Sequence, residues 1–359
     1  MSKVIVFLKN RNDPSSYYRL YQYFRDRECR IADGTSSKIY AWYYDDSKPS
    51  HIKRLLMATE NLVRVNFFII WDLLVLHSDV VVINRRLFPR RFPFFQYPIL
   101  KFYLTRRVVY WDFDDNIIQD GEITTREVQL LEELSREIIV TNQFLKDTIP
   151  EADRSKVKIM PTTDADLKDY NSLLIETKRL ENFDKEIRLL WLGTKNNLQY
   201  LERIVPVLEV CASCLKVLGK SVRLVVVCNK KLVIQTDGFM VENIAWTREC
   251  ALAELEKAHI GLMPLLDNEY TKGKGGFKAV QYLGMGIPAI VSAVGYNCQV
   301  INHGENGFLC QDDNDWKTGI LSLCEDREKW LAYSRRAREK WERDFNPNRQ
   351  DIFWNDATK

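Results

Sequence analysis

The sequence lacks a long apolar run. The longest, residues 67–76, is broken by Asp72 and falls far short of the ~18–20 residues that a membrane-spanning helix needs. The first apolar run, residues 4–8, is too short for a signal-peptide core. A secreted or membrane-spanning chain is therefore not expected, and the cytoplasm is the expected compartment. Histidine is scarce, and His51, His77, His259 and His303 are too scattered to form a ligand cluster. The eight cysteines are dispersed, and one pair, Cys211 and Cys214, has CxxC spacing. That pair sits within an amphipathic helical pattern, so reduced, buried thiols are expected rather than a metal or redox site. Glycine is missing from residues 9–16, directly after the first apolar run, so a dinucleotide fingerprint is excluded there. A Walker A sequence is absent too, which argues against a P-loop kinase or ATPase. Lys plus Arg is 52 and Asp plus Glu is 49, which leaves little of the basic excess of a dedicated nucleic-acid binder, and no nucleic-acid partner is expected.

What remains is the profile of a globular chain of 359 residues, 46% hydrophobic and 28% charged. That length suits two domains. Short β-rich runs alternate with longer helical patterns. Strands are expected over 4–8, 39–44, 80–83, 108–111, 138–141 and 157–160, with helices over 17–27, 51–76 and 125–136. A second set of strands is expected over 187–191, 222–227, 244–245, 260–264 and 289–291. Helices over 198–218, 249–258, 277–283 and 315–323 lie between or after them. Residues 162–185 are polar and acidic and read as the connection. Such alternation predicts two α/β domains with doubly wound parallel sheets. Ligands in such sheets bind beyond the carboxyl ends of the strands.

The most informative segment is Lys272-Gly273-Lys274-Gly275-Gly276-Phe277-Lys278-Ala279-Val280-Gln281-Tyr282. A glycine-rich turn leads directly into a helical pattern. Glycines let the backbone approach a ligand, and unpaired N–H groups at a helix start suit a phosphate. Lys274 and Lys278 add positive charge. The plainer reading is a strand-to-helix loop with solvated lysines. Further on come Gly286-Ile287-Pro288, a buried β-run, Gly295-Tyr296-Asn297 and His303-Gly304-Glu305-Asn306-Gly307-Phe308.

This order resembles the C-terminal domain of the retaining glycosyltransferases of family 4, bacterial surface-polysaccharide type. Leu190-Trp191-Leu192-Gly193-Thr194-Lys195 is similar to the first strand and donor loop of that domain. Ile244-Ala245-Trp246-Thr247 resembles its nucleotide-base loop. Ser15-Ser16-Tyr17-Tyr18-Arg19 and Asp112-Phe113-Asp114-Asp115 are similar to N-terminal motifs of bacterial members. The resemblance implies the GT-B fold, two Rossmann-like doubly wound domains facing across a cleft. Residues 1–168 would bind the acceptor, 169–335 the nucleotide-sugar donor, and 336–359 would cross back as a helical segment.

The implied reaction moves a sugar from a nucleoside diphosphate to a hydroxyl of a glycan or lipid-linked acceptor, with retention and with neither cofactor nor metal. The donor would meet Gly193, Thr194, Lys195, Trp246, Lys274, Gly276, Phe277, Lys278 and Gln281. Lys195 and Lys278 would act catalytically on the departing diphosphate. The acceptor would meet Ser16, Arg19, Asp112, Asp114 and Asp115, with Asp112 and Asp114 as catalytic candidates. An acidic helix cap and a cation site remain alternative readings of these three carboxylates. The family's two glutamates are missing: their positions hold Gly273 and Gln281. A non-catalytic binding or scaffold subunit and a nucleotide-sugar isomerase are therefore also considered.

The near-neutral total conceals a segregation of charge. Residues 1–111 carry a net +10 and residues 112–170 a net −8. Arg85, Arg86, Arg90 and Arg91 alternate with aromatic residues. Such a mix suits an anionic membrane surface, here the inner face of the cell membrane, although a solvated loop with buried aromatics has the same composition.

Overall fold

The computed structural model describes residues 2–45, 49–88 and 95–359. Arg90 and Arg91 lie outside the described residues. The chain divides into two compact units. The first is Met1–Thr162 with Gly273–Gly275 and Pro347–Lys359, and the second is Thr163–Lys272 with Gly276–Asn346.

The first unit is built on a parallel sheet of β1 (Val4–Leu8), β2 (Arg30–Asp33), β3 (Val80–Asn84), β4 (Val108–Phe113), β5 (Ser135–Val140) and β6 (Val157–Ile159). Its strand order is β2-β1-β3-β4-β5-β6. β1 and β3 are buried throughout and rich in Val and Ile, the pattern of strands covered on both faces. One face packs the helices His51–Trp71, Gln96–Leu104 and Thr125–Leu134. The other packs Leu20, Phe24 and, from the Asn348–Ala357 helix, Trp354.

The second unit holds β7 (Glu186–Leu192), β8 (Ser221–Cys228), β9 (Met240–Ala245), β10 (Ile260–Met263), β11 (Ala289–Ser292) and β12 (Gly307–Cys310). The order is β12-β11-β10-β7-β8-β9, again all parallel. One face carries Trp191 with the Leu198–Val217 and Asp313–Cys324 helices. The other carries the Phe277–Gly284 helix and Trp341 of the Arg327–Asp344 helix. Each sheet thus has apolar layers on both faces, and two doubly wound α/β units result.

Four local expectations change. Residues 39–44 are not a strand but part of the Ser37–Asp45 helix. The edge place beside β1 goes to β2, so the aromatic run has no sheet to join; instead the Tyr40 ring packs at a tilt against Tyr44 and its hydroxyl donates to Asp13 at 2.9 Å. Residues 162–185 contain the Ser172–Asn182 helix, capped by Asn171, rather than a bare connection. Residues 17–27 begin with a wide π turn, Tyr17–Tyr21, which carries Arg19 inward. β12, absent from the sequence reading, extends the second sheet. Cys211 and Cys214 are unpaired thiols on one helix, and burial pushes Cys211 up to about 12.

Candidate functional sites in the two units

In the first sheet the strand order reverses direction between β1 and β3, where a doubly wound sheet opens a crevice at its carboxyl ends. The residues that follow β1, β3 and β4 meet there. Arg85, just after β3, has φ 61, a left-handed conformation that bulky residues seldom adopt. Its guanidinium reaches Asp114 at 2.8 Å, Asp115 at 3.0 Å and Glu122 at 2.7 Å. Ser15 donates to Asp114 at 2.6 Å. Lys9 pairs with Asp13 at 2.9 Å and lies over the Tyr44 ring.

Burial raises the Asp114 carboxyl to about 6; Arg85 opposes this and Asp115 adds to it. Glu122 goes the other way, to about 2: burial pushes it up, and Arg85, Lys9 and Arg86 together outweigh that. Two neighbouring carboxylates are thereby driven apart in acidity.

The structure places the other expected residues of this unit as follows. Arg19 and Asp112 face each other as a buried ion pair, with side chains 2% and 1% exposed. The Arg19 Nε lies 3.1 Å from each Asp112 oxygen, and its Nη1 donates to the Met160 carbonyl at 2.6 Å. Ser16 is also buried and donates to Asn84, which donates to Asp112. Ser16, Arg19 and Asp112 thus hydrogen-bond to one another's neighbours inside the first unit and are almost fully buried there. Of the proposed acceptor residues, Asp114 and Asp115 keep exposed surface. Arg85, expected at a membrane surface, is buried among carboxylates. Arg86 is half-buried, 3.5 Å from Glu122, and donates to the Phe88 carbonyl.

In the second unit the reversal lies between β7 and β10. The chain leaves β7 through Gly193 and Thr194 into the short turn Lys195–Asn197. The Lys195 N–H is held by the Asn229 side chain at 3.0 Å, from the end of β8. The Lys278 ammonium sits 4.6 Å from the centroid of the buried Trp191 ring. Gly193 makes this possible: a Cβ there would lie 2.5 Å from Trp191 and 2.9 Å from the Lys278 ammonium. Gly276, at φ 64, sets the start of the Phe277–Gly284 helix. Lys195, Lys278 and the N-terminal end of this helix thus belong to one unit. Trp246 follows β9 and is 38% exposed.

Gln281 is buried and donates to Asp164 at 3.0 Å. Asp164 also accepts from Arg248 at 3.0 Å. Burial raises the Asp164 carboxyl, against the pull of Arg248. Gln281 is therefore engaged with Asp164 inside the unit. Lys274 belongs to the segment grouped with the first unit, where Asn142 donates to the carbonyls of Gly273 and Lys274 at 3.4 Å. Asn229, Asp164 and Arg248 were not singled out in the sequence. The one available signal was position, Asn229 standing at the end of a β-run. Among the described residues no group of His, Cys, Asp and Glu side chains gathers as a metal site.

Residues 186–326, within this second unit, match the family described as glycosyl transferases group 1. The whole chain also has the fold of known structures. Anabaena HepE, solved in complex with UDP, aligns with a TM-score of 0.63 at 11% identity, over 99% of this chain and 100% of that one. Sucrose-phosphate synthase from Thermosynechococcus elongatus aligns with a TM-score of 0.63 at 13% identity, over 99% and 98%. TarM of S. aureus aligns with a TM-score of 0.58 at 13% identity, over 83% of this chain and 58% of that one. At such identities the likeness is one of fold, and the fold is GT-B. No curated protein matches.

Proposed function

We propose that the protein is a glycosyltransferase that moves a sugar from a nucleoside diphosphate to an acceptor hydroxyl. The observation that carries this reading is the Gly193–Lys195 loop with Lys278 at the carboxyl end of β7, inside the stretch that matches glycosyl transferases group 1. Loss of the nucleoside diphosphate builds negative charge on the leaving oxygen. Lys278, steered by Trp191, and Lys195 stabilise that charge, and the backbone N–H groups at the Phe277–Gly284 helix start add to it. Retention follows if the acceptor attacks from the side the diphosphate leaves. The C1–phosphate bond breaks, the C1–acceptor bond forms, and the acceptor proton passes to the leaving phosphate. No protein nucleophile is then required. Asp114 and Asp115 would orient the acceptor hydroxyls. A bacterial surface glycan, built on the cytoplasmic side, is the acceptor class this reading favours.

A second reading is a binding or scaffold subunit without turnover, favoured by the burial of Gln281 against Asp164. Release of nucleoside diphosphate from a panel of donors separates the two. UDP-sugars come first, because HepE was solved with UDP-glucose. Turnover with one donor, falling ~100-fold or more in Lys278→Ala, is expected. Binding of donors with no release in the presence of any acceptor would favour the scaffold.

A further inference from the structure

The His51–Trp71 helix has an unusual outer face. Its inner face supplies Val65, Phe68 and Ile69 to the core, as a surface helix should. Its outer face should then be polar. Instead Ile52, Leu56, Val63, Phe67 and Ile70 are exposed, and Leu74 in the turn that follows is 72% exposed. At 100° per residue the five helix positions fall within about 60° of one another, along ~27 Å of helix. Val63 and Phe67, at 62% and 58% exposure, stand at its middle. Such a bare strip exceeds the scattered apolar residues normal on a protein surface.

A second helix of the same unit also exposes apolar residues. Asp72, at the end of the helix, accepts from Tyr103 at 2.7 Å and from Arg107 at 3.1 Å. These bonds anchor the Gln96–Leu104 helix on the buried side, and its Ile99 and Phe102 are exposed. The Arg106 guanidinium lies 4.1 Å from the Phe102 ring centroid.

Charge decides the occupant. The helix bears one acid, Glu60, which is half-buried and accepts from the Ser36 N–H at 3.1 Å. Its bases are Lys53, Arg54 and Arg64. Lys53 is held over Trp42 at 4.4 Å, and Trp42 is itself 39% exposed. A second copy docked on this face would bring equal positive flanks together, and among the described residues of the helix the one acid, Glu60, is already engaged with Ser36. An anionic headgroup layer neutralises the same flanks and takes up the apolar strip. Trp42 beside a lysine suits the boundary between the two. Among the described residues no helix is long and apolar enough to cross a membrane, so the face would lie on a bilayer rather than span it.

We propose that the outer face of the His51–Trp71 helix docks on an anionic lipid bilayer, with the helix lying in the plane of the interface. This does not depend on the donor reading. It also moves the membrane contact from the Arg85 loop to a helix face.

The test is co-sedimentation of the full chain with phosphatidylcholine vesicles, with and without phosphatidylglycerol. The comparison variant is Val63→Glu with Phe67→Glu. Both positions are exposed, so circular dichroism should stay that of the wild type. The expected result is binding to the anionic vesicles, little to the neutral ones, and a ~tenfold or greater loss in the variant. Failure to sediment, equal binding to both vesicles, or binding unchanged in the variant would each overturn the proposal. So would a lipid-free dimer abolished by the same two substitutions, which would give the face to a second copy.

Discussion

Arg19 and Asp112 stand 93 residues apart and close on each other inside the first unit. Nothing in either local sequence announces the pair: a positive residue at a helix start and an acid at a strand end suggest a ligand site. The structure shows both buried in one ion pair. Removing one partner leaves a charge without compensation. Arg19→Met should lower unfolding free energy by ~3–5 kcal/mol, read from urea melts. A melt unchanged from the wild type would return Arg19 to the ligand-binding residues. Asp114 behaves differently because it retains solvent contact. Its folded value of about 6 lies above the ordinary 3.8, so the folded state holds this proton more tightly than the unfolded one. The stability it contributes is full below 3.8 and is lost as pH rises through about 6. Asp114→Asn should remove that slope, so that the variant gains on the wild type at neutral pH and not at low pH. Parallel curves of urea midpoint against pH would contradict the assignment.

At the scale of elements, much of the architecture was legible. Val- and Ile-rich runs such as residues 80–83 and 222–227 became buried strands because their composition fits no other place. The aromatic run at 39–44 misled because β propensity needs a sheet to act on, and β2 already held the edge. β2 itself, Arg-Ile-Ala-Asp, is too short and too charged to be recognised by pattern. The Gly193–Lys195 loop stood out in the sequence, and the structure supplies a reason for its glycine. Gly193 leaves the room in which Lys278 meets Trp191. Gly193→Ala should therefore weaken nucleotide binding by ~tenfold, by displacing the lysine, while the fold persists. Calorimetric affinity equal to the wild type would show that the close approach is unimportant.

At the scale of the molecule, the two sheets reverse strand order at β1/β3 and at β7/β10, and the residues of interest lie at the carboxyl ends there. That placement follows from connection handedness and strand order, which sequence periodicity does not record. The charge segregation seen in the sequence acquires a physical meaning inside the first unit. Arg85, from the basic stretch, is neutralised by Asp114, Asp115 and Glu122, from the acidic one. The surplus that remains on the surface includes the flanks of the His51–Trp71 helix.

The central claim is that Lys278 and the Gly193–Lys195 loop form the seat of a nucleoside diphosphate. Isothermal titration of the full chain with UDP, beside Lys278→Ala, tests it most directly. Saturable binding is expected in the wild type, with a loss of ~tenfold or more in the variant, because a charge-assisted contact to phosphate is worth about 1.5–3 kcal/mol. Equal affinity in the two proteins, or no binding of any nucleoside diphosphate to the wild type, would contradict it.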